Sequence, residues 1–158
     1  MYQLEVKALL VSGLFNPEDG WEVSVDVDGM ERACGGRHPE GKMEATQGAL
    51  RSLKCMGASI GADEEYGRAD IVARHPDKGT YVIECEGDTS RQREQSMYSA
   101  LGQILLSMNN ESRLVRYALA LPDDPKWEKQ VLKIPSRLYS ALGLEVYMVS
   151  RTGVSKLP

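Results

Sequence analysis

Arg68-Ala69-Asp70-Ile71-Val72-Ala73 and, a short turn later, Tyr81-Val82-Ile83-Glu84-Cys85-Glu86-Gly87 set three carboxylates into two β-rich runs. The runs, residues 69–74 and 80–86, flank His75-Pro76-Asp77-Lys78-Gly79, with Pro, Asp and Gly where a chain reversal needs them. This pattern predicts a β-hairpin. Centring the five-residue loop on Asp77 puts Arg74 opposite Thr80 and Asp70 opposite Glu84, with facing Cβ atoms about 4.5–5.5 Å apart. Strand periodicity adds Glu86 to the same face. Tyr81, Ile83 and Cys85, with Ala69, Ile71 and Ala73 on the partner strand, form an opposite face that reads as buried. A slip by one residue would send Asp70 away from Glu84.

Two full negative charges about 5 Å apart repel by about 3 kcal/mol at an effective dielectric near 20. Balance can come from a divalent cation, from a proton shared between carboxyls, or from Arg68, Arg91 or Arg93 nearby. A hard, oxygen-rich site favours Mg²⁺ or Mn²⁺. The plainer alternative places Asp70, Glu84 and Glu86 on the wet side of a half-exposed sheet. Val72 and Val82, which share their face, and a helix expected on each side of the hairpin stand against it.

With these residues in place, the sequence resembles the PD-(D/E)XK, or restriction-endonuclease-like, nuclease superfamily. Asp70 matches the family's first Asp, Glu84 the Glu of its E-x-K, and Glu44 the acid on the preceding helix. Gln103, in Ala100-Leu101-Gly102-Gln103, is a candidate for the Gln often found on the later helix. The resemblance covers residues 42–150 and rests on order and spacing, since each motif is short. It implies an α/β fold with a central mixed sheet flanked by helices, as a single domain over residues 1–158: an N-terminal extension, 1–41, and a core, 42–150.

The resemblance further implies metal-assisted phosphodiester hydrolysis, with Asp70, Glu84 and the backbone carbonyl of Cys85 holding Mg²⁺ (or Mn²⁺). One departure matters: Glu86 stands where the family usually has Lys, and a carboxylate cannot stabilise developing negative charge as an ammonium does. Glu86 would then be a second metal ligand or a base that orients water. A migrated lysine is sought in Lys42, near the start of the first core helix; Lys78 sits at the far end of the hairpin. Arg91 or Arg93 could replace the lysine electrostatically.

The helix before the hairpin is expected over residues 43–56, with Met43, Ala49, Leu50, Leu53 and Met56 at helical spacing. Glu44, Gln47 and Arg51 share another face, where Arg51 is either a phosphate contact or ordinary solvated surface. After the hairpin, Asp88-Thr89-Ser90 supplies caps for a helix reaching about Met108. Its stripe of Met97, Leu101, Ile104, Leu105 and Met108 is core. Gln103 falls at roughly 140° from that stripe at 100° per residue. It reaches substrate only if the polar face borders the cleft, and Gln92 and Gln95 compete with it. Arg91 and Arg93, on the first turn, suit phosphate binding.

Residues 116–121 read as a buried strand, and 144–149 as another after a helix ended by Gly143. This alternation favours parallel strands joined by helical crossovers. Residues 3–14 form an amphipathic helix or a strand, and 21–28 alternate as a half-buried strand with Asp26 and Asp28 solvated. The Gly- and Pro-rich segment 32–42 carries Arg32, Arg37, His38 and Lys42 as a nucleic-acid contact. Cys34, Cys55 and Cys85 have no CxxC spacing and read as reduced and mostly buried; with two histidines they build no familiar zinc pattern. The 158 residues, 42% hydrophobic and 27% charged, suit one core. No signal pattern or membrane-length apolar run appears, so a cytoplasmic chain is expected. P-loop, dinucleotide and Cys or Ser nucleophile motifs are absent. The net charge of −4 argues mildly against a nonspecific DNA coat.

The leading expectation is a Mg²⁺-dependent deoxyribonuclease acting in defence or repair, with DNA as partner and a homodimer as the further option for cutting both strands. The alternative is a noncatalytic member of the same fold that binds nucleic acid or protein, supported chiefly by Glu86. A third is an α/β interaction module whose acidic hairpin is purely structural.

Overall fold

A computed structural model describes residues 1–33, 37–88, 92–108 and 114–157. Helix α1 (Gln3–Leu14) is followed by β1 (Glu22–Val25), α2 (Lys42–Cys55), β2 (Ser59–Ile60), β3 (Ile71–His75) and β4 (Gly79–Cys85). Then come α3 (Arg93–Ser107), β5 (Val115–Pro122), α4 (Pro125–Val131), α5 (Ser136–Leu142), β6 (Leu144–Ser150) and β7 (Gly153–Lys156). The strands form one mixed sheet in the order β2-β1-β3-β4-β5-β6-β7. The expected α/β class, a central mixed sheet flanked by helices, is the one the chain adopts.

The hairpin has the register that centring on Asp77 requires: Ile71 faces Ile83, Val72 faces Val82 and Arg74 faces Thr80. Strands β4, β5 and β6 run parallel, linked by helices, as the alternation of elements implied. Gly79 closes the hairpin at φ 85°, and a Cβ there would lie 2.5 Å from the Leu114 carbonyl oxygen, so no other residue fits that turn.

Alternation along the strands divides the core. Ile71, Ala73, Tyr81, Ile83, Cys85, Ala118 and Ala120 face α1 and α2, where Leu4, Leu10, Val11 and Leu53 cover them. Val72, Val82, Leu119, Leu121, Val146 and Met148 face α3 and α4, under Met97, Ala100, Ile104 and Trp127. Ala69 belongs to this second cluster and not to the Ile71 face, because the chain leaves the ladder before Ile71.

Several expectations change. The segment 1–41 is no extension: α1 is buried at Leu4, Val6, Leu10 and Val11 in the same cluster as the hairpin, and β1 pairs with β3. Met43 and Leu105 are exposed. The buried stripe of α3 is Ser96, Met97, Ala100 and Ile104, rotated toward the Gln103 side of the helix. Cys55 is exposed, and Cys85 is buried. Asp26 is ion-paired with Arg68 at 3.3 Å rather than simply solvated. Arg91, Cys34 and the cap residues Thr89 and Ser90 fall outside the described residues. Among the described residues no helix is long and apolar enough to cross a membrane.

Candidate functional site at the open end of the hairpin

Beyond the Ile71–Ile83 pair the backbone ladder stops, and a side chain takes its next step. The Cys85 N–H donates to Asp70 Oδ2 at 2.8 Å, while the Asp70 carbonyl accepts from the Asp26 N–H at 3.0 Å. Asp70 is thus fixed where three strands end. Glu84 lies one residue before Cys85 and is only 4% exposed, which removes the wet-surface alternative for it. Its carboxyl is within hydrogen-bonding reach of Asp70, and the Glu86 charge also acts on it. Burial first, then the Asp70 charge, pushes Glu84 up to about 9.

The cation at this cluster comes from α1. The Lys7 ammonium, 0% exposed, lies 2.6 Å from Asp70 Oδ1, 2.8 Å from a Glu31 carboxylate oxygen and 2.6 Å from the Asp26 carbonyl. One turn earlier on the same helix face, the Gln3 amide donates to Asp70 Oδ2 at 3.1 Å. Burial acts to lower the Lys7 pKa, but the Asp70 and Glu31 charges outweigh it and hold the ammonium firmly protonated. Burial raises the Glu31 carboxyl against the pull of Lys7. It also raises the Cys85 thiol, helped by Asp70, so this sulfur is not a nucleophile.

Helix α1 can approach this closely because of Gly87. A Cβ on Gly87 would sit 2.2 Å from the Gln3 nitrogen and 2.8 Å from the Tyr2 carbonyl carbon, so any side chain there would push the helix away. Glu31 is set by a reciprocal turn: its N–H donates to Asp28 Oδ1 at 2.8 Å, and its carboxylate accepts from the Asp28 N–H at 3.1 Å.

The remaining expected residues scatter. Glu44 is exposed on α2, in an open hollow with His38, Met43 and Gln47. Arg51 is exposed on the same helix. Lys42 donates to the Met30 carbonyl at 2.9 Å and stands over the Tyr2 ring, so it is not the migrated lysine. Arg93 pairs with Asp88 at 3.1 Å and lies over Trp127. Glu86 is half-buried just past β4, its N–H on the Ala120 carbonyl at 2.9 Å. Gln103 does reach the site: with Tyr66, Arg68, Glu84, Leu106 and Ser107 it lines an open hollow of about 390 Å³ on the α3 side.

Sequence reasoning missed Lys7 and Glu31. A signal for Lys7 was present, since it stands among Leu4, Val6, Ala8, Leu10 and Val11 on a helix with little polar surface, where a lysine must find a buried partner. Nothing local marked Glu31.

In donor chemistry Asp70 and Glu84 fit a hard divalent cation. The third expected acid, Glu44, is not with them, and no group of three or more acidic, His or Cys side chains among the described residues is arranged to hold a metal. Compared with known proteins, the chain is similar in structure to an XisH family protein from Nostoc punctiforme, with a TM-score of 0.48 and 12% identity over 98% of this chain and 99% of that chain. No family model matches the chain, and no curated protein matches it significantly.

Proposed function

We propose that the chain is a metal-dependent nuclease hydrolysing DNA phosphodiester bonds, with Asp70 and Glu84 as the cation ligands and Lys7 in the role of the lysine missing at position 86. The observation that carries this reading is the buried Lys7 ammonium 2.6 Å from Asp70 Oδ1, delivered from α1 instead of from β4. Bound Mg²⁺ or Mn²⁺ would supply Lewis acidity and a water of lowered pKa. The protein contributes the rest. Gln3 and the Cys85 N–H hold Asp70 in one orientation, and Lys7 keeps a fixed positive charge against the Asp70 carboxylate. Arg68, 76% exposed at the rim of the hollow, is the cation best placed to meet a phosphate.

A second reading, a noncatalytic nucleic-acid-binding member of the same fold, is favoured by one observation. The three acceptors around Lys7, namely Asp26, Glu31 and Asp70, use all three of its N–H directions and leave none for substrate. Calorimetric titration with Mg²⁺ and Mn²⁺, beside cleavage of supercoiled plasmid and single-stranded DNA, separates the two. The nuclease reading expects cation binding and cleavage in the wild type, both lost in Asp70→Asn. Cation binding with no cleavage removes the nuclease reading and leaves the second. Absence of cation binding sinks the metal-dependent proposal.

A further inference from the structure

Glu84, 4% exposed, is one of the residues that line the hollow on the α3 side. Its shape bears on what can enter it. A stacked duplex is read by convex elements inserted into its grooves. A concave hollow accepts something that protrudes, and what protrudes from a nucleic acid is an unstacked base. At about 390 Å³ the hollow lies at the small end of the range for ligand sites, enough for one nucleotide unit and not for a run of them.

Its lining has the chemistry for such a unit. Leu106, 85% exposed, and Tyr66 give apolar walls. Gln103 brings an exposed primary amide, which can donate and accept together along a base edge, and Ser107 adds a hydroxyl. Arg68 stands at the rim; its surface contact with Asp26, 3.3 Å, is of a kind that contributes little and is readily exchanged for a phosphate. Glu65, on the same rim, pairs with Arg74 at 3.2 Å, which offsets its charge against a phosphate.

Resting on the nuclease reading above, we infer that this hollow is a subsite for a single unstacked nucleotide, so that the substrate is single-stranded DNA. Gln103 addresses the base edge, Leu106 and Tyr66 pack against its apolar surface, and Arg68 meets the adjoining phosphate.

Fluorescence anisotropy tests this with a short labelled single strand and the duplex of the same sequence, on the full chain in chelator, so that binding is read without cleavage. The single strand is expected to bind at least about tenfold more tightly than the duplex. Gln103→Ala and Leu106→Ala, both at exposed positions that leave the core untouched, are each expected to weaken single-strand binding by about threefold to tenfold while duplex binding stays unchanged. Equal affinity for the duplex, or single-strand binding indifferent to both substitutions, overturns the subsite. The two proposals fail separately. Single-strand binding that depends on Leu106 without hydrolysis in Mg²⁺ retains the subsite and removes the nuclease. Hydrolysis that both substitutions leave unchanged removes the subsite and retains the nuclease.

Discussion

The two ends of the β3–β4 hairpin share strands and register, yet they are held by opposite kinds of force. At the turn end Phe15 lies edge-on to Trp21 at 4.9 Å and against Tyr81 at 5.0 Å, while Trp21 meets His75 at 5.0 Å and Lys78 caps the Trp21 ring. At the open end Asp70, Glu84 and Glu31 crowd around the single ammonium of Lys7. One helix makes the difference. Running about 1.5 Å per residue along the hairpin, α1 brings Gln3 and Lys7 to the carboxylates and the chain just after it brings Phe15 to the aromatic cluster. The aromatic end spreads its stabilisation over many small contacts, any of which can go. The acidic end concentrates it in one cation, the Lys7 ammonium.

The sharpest way to break that contrast is Lys7→Met. It leaves the mostly covered carboxylates of Asp70 and Glu31 without their cation, a loss of about 3–5 kcal/mol by urea unfolding. Restoring neutrality with Asp70→Asn in the same chain should recover part of it. A loss under about 1 kcal/mol, the range of a surface ion pair, would show that water reaches the cluster and would dissolve the comparison.

Next in size is Asp63→Asn, which probes the loop that leads into β3 and carries Arg68 and Asp70. Asp63 receives both guanidinium nitrogens of Arg74, at 2.6 and 2.9 Å, and the backbone N–H groups of Glu65 and Tyr66. Losing the charge should cost about 1.5–3 kcal/mol. The Arg74 hydrogen bonds, set against burial, hold the Asp63 carboxyl at about 2, below the usual 3.8. A depressed carboxylate stabilises the fold above its unfolded pKa and loses that contribution as pH falls through its folded one. The wild type should therefore shed this stability between about pH 4 and pH 2, and the Asn variant should lack that part of the acid limb in unfolding curves taken at each pH.

The smallest expected effect is at the turn end. Tyr81→Phe removes the hydroxyl that accepts from Arg116 at 2.6 Å and leaves the ring packing intact, for about 1 kcal/mol. A loss matching that of Lys7→Met would mean that the aromatic end, too, hangs on one polar contact.

Whereas the expected strand pair of Asp70 with Glu84 lies beyond the last ladder pair and the two carboxyls meet through their side chains, the hairpin and its register up to Ile71 and Ile83 were legible in the residues because strand alternation and turn chemistry are local. The same holds for the parallel strands after it and for Gly143 at the end of α5. Gln103 was legible as a candidate but misplaced by wheel geometry. The apolar stripe drawn from Leu101, Leu105 and Met108 pointed the helix the wrong way, whereas Ser96 and Ala100, small enough to pack closely, are what the sheet selects. Glu44 was assigned from the resemblance, as the acid on the helix preceding the hairpin, and Lys42 from its place at the start of that helix, and order along the chain does not say which helix covers a strand end.

By itself, then, the sequence determined the acidic hairpin and the layered α/β class, since both follow from periodicities of two and three to four residues along the chain. Only the tertiary structure decided what balances the acid. The partner is Lys7, 63 positions before Asp70, and that contact exists because Gly87 lets α1 settle against the end of β4. A charge in a buried cluster is chosen by whichever element packs there, and packing of that kind is written in no local pattern.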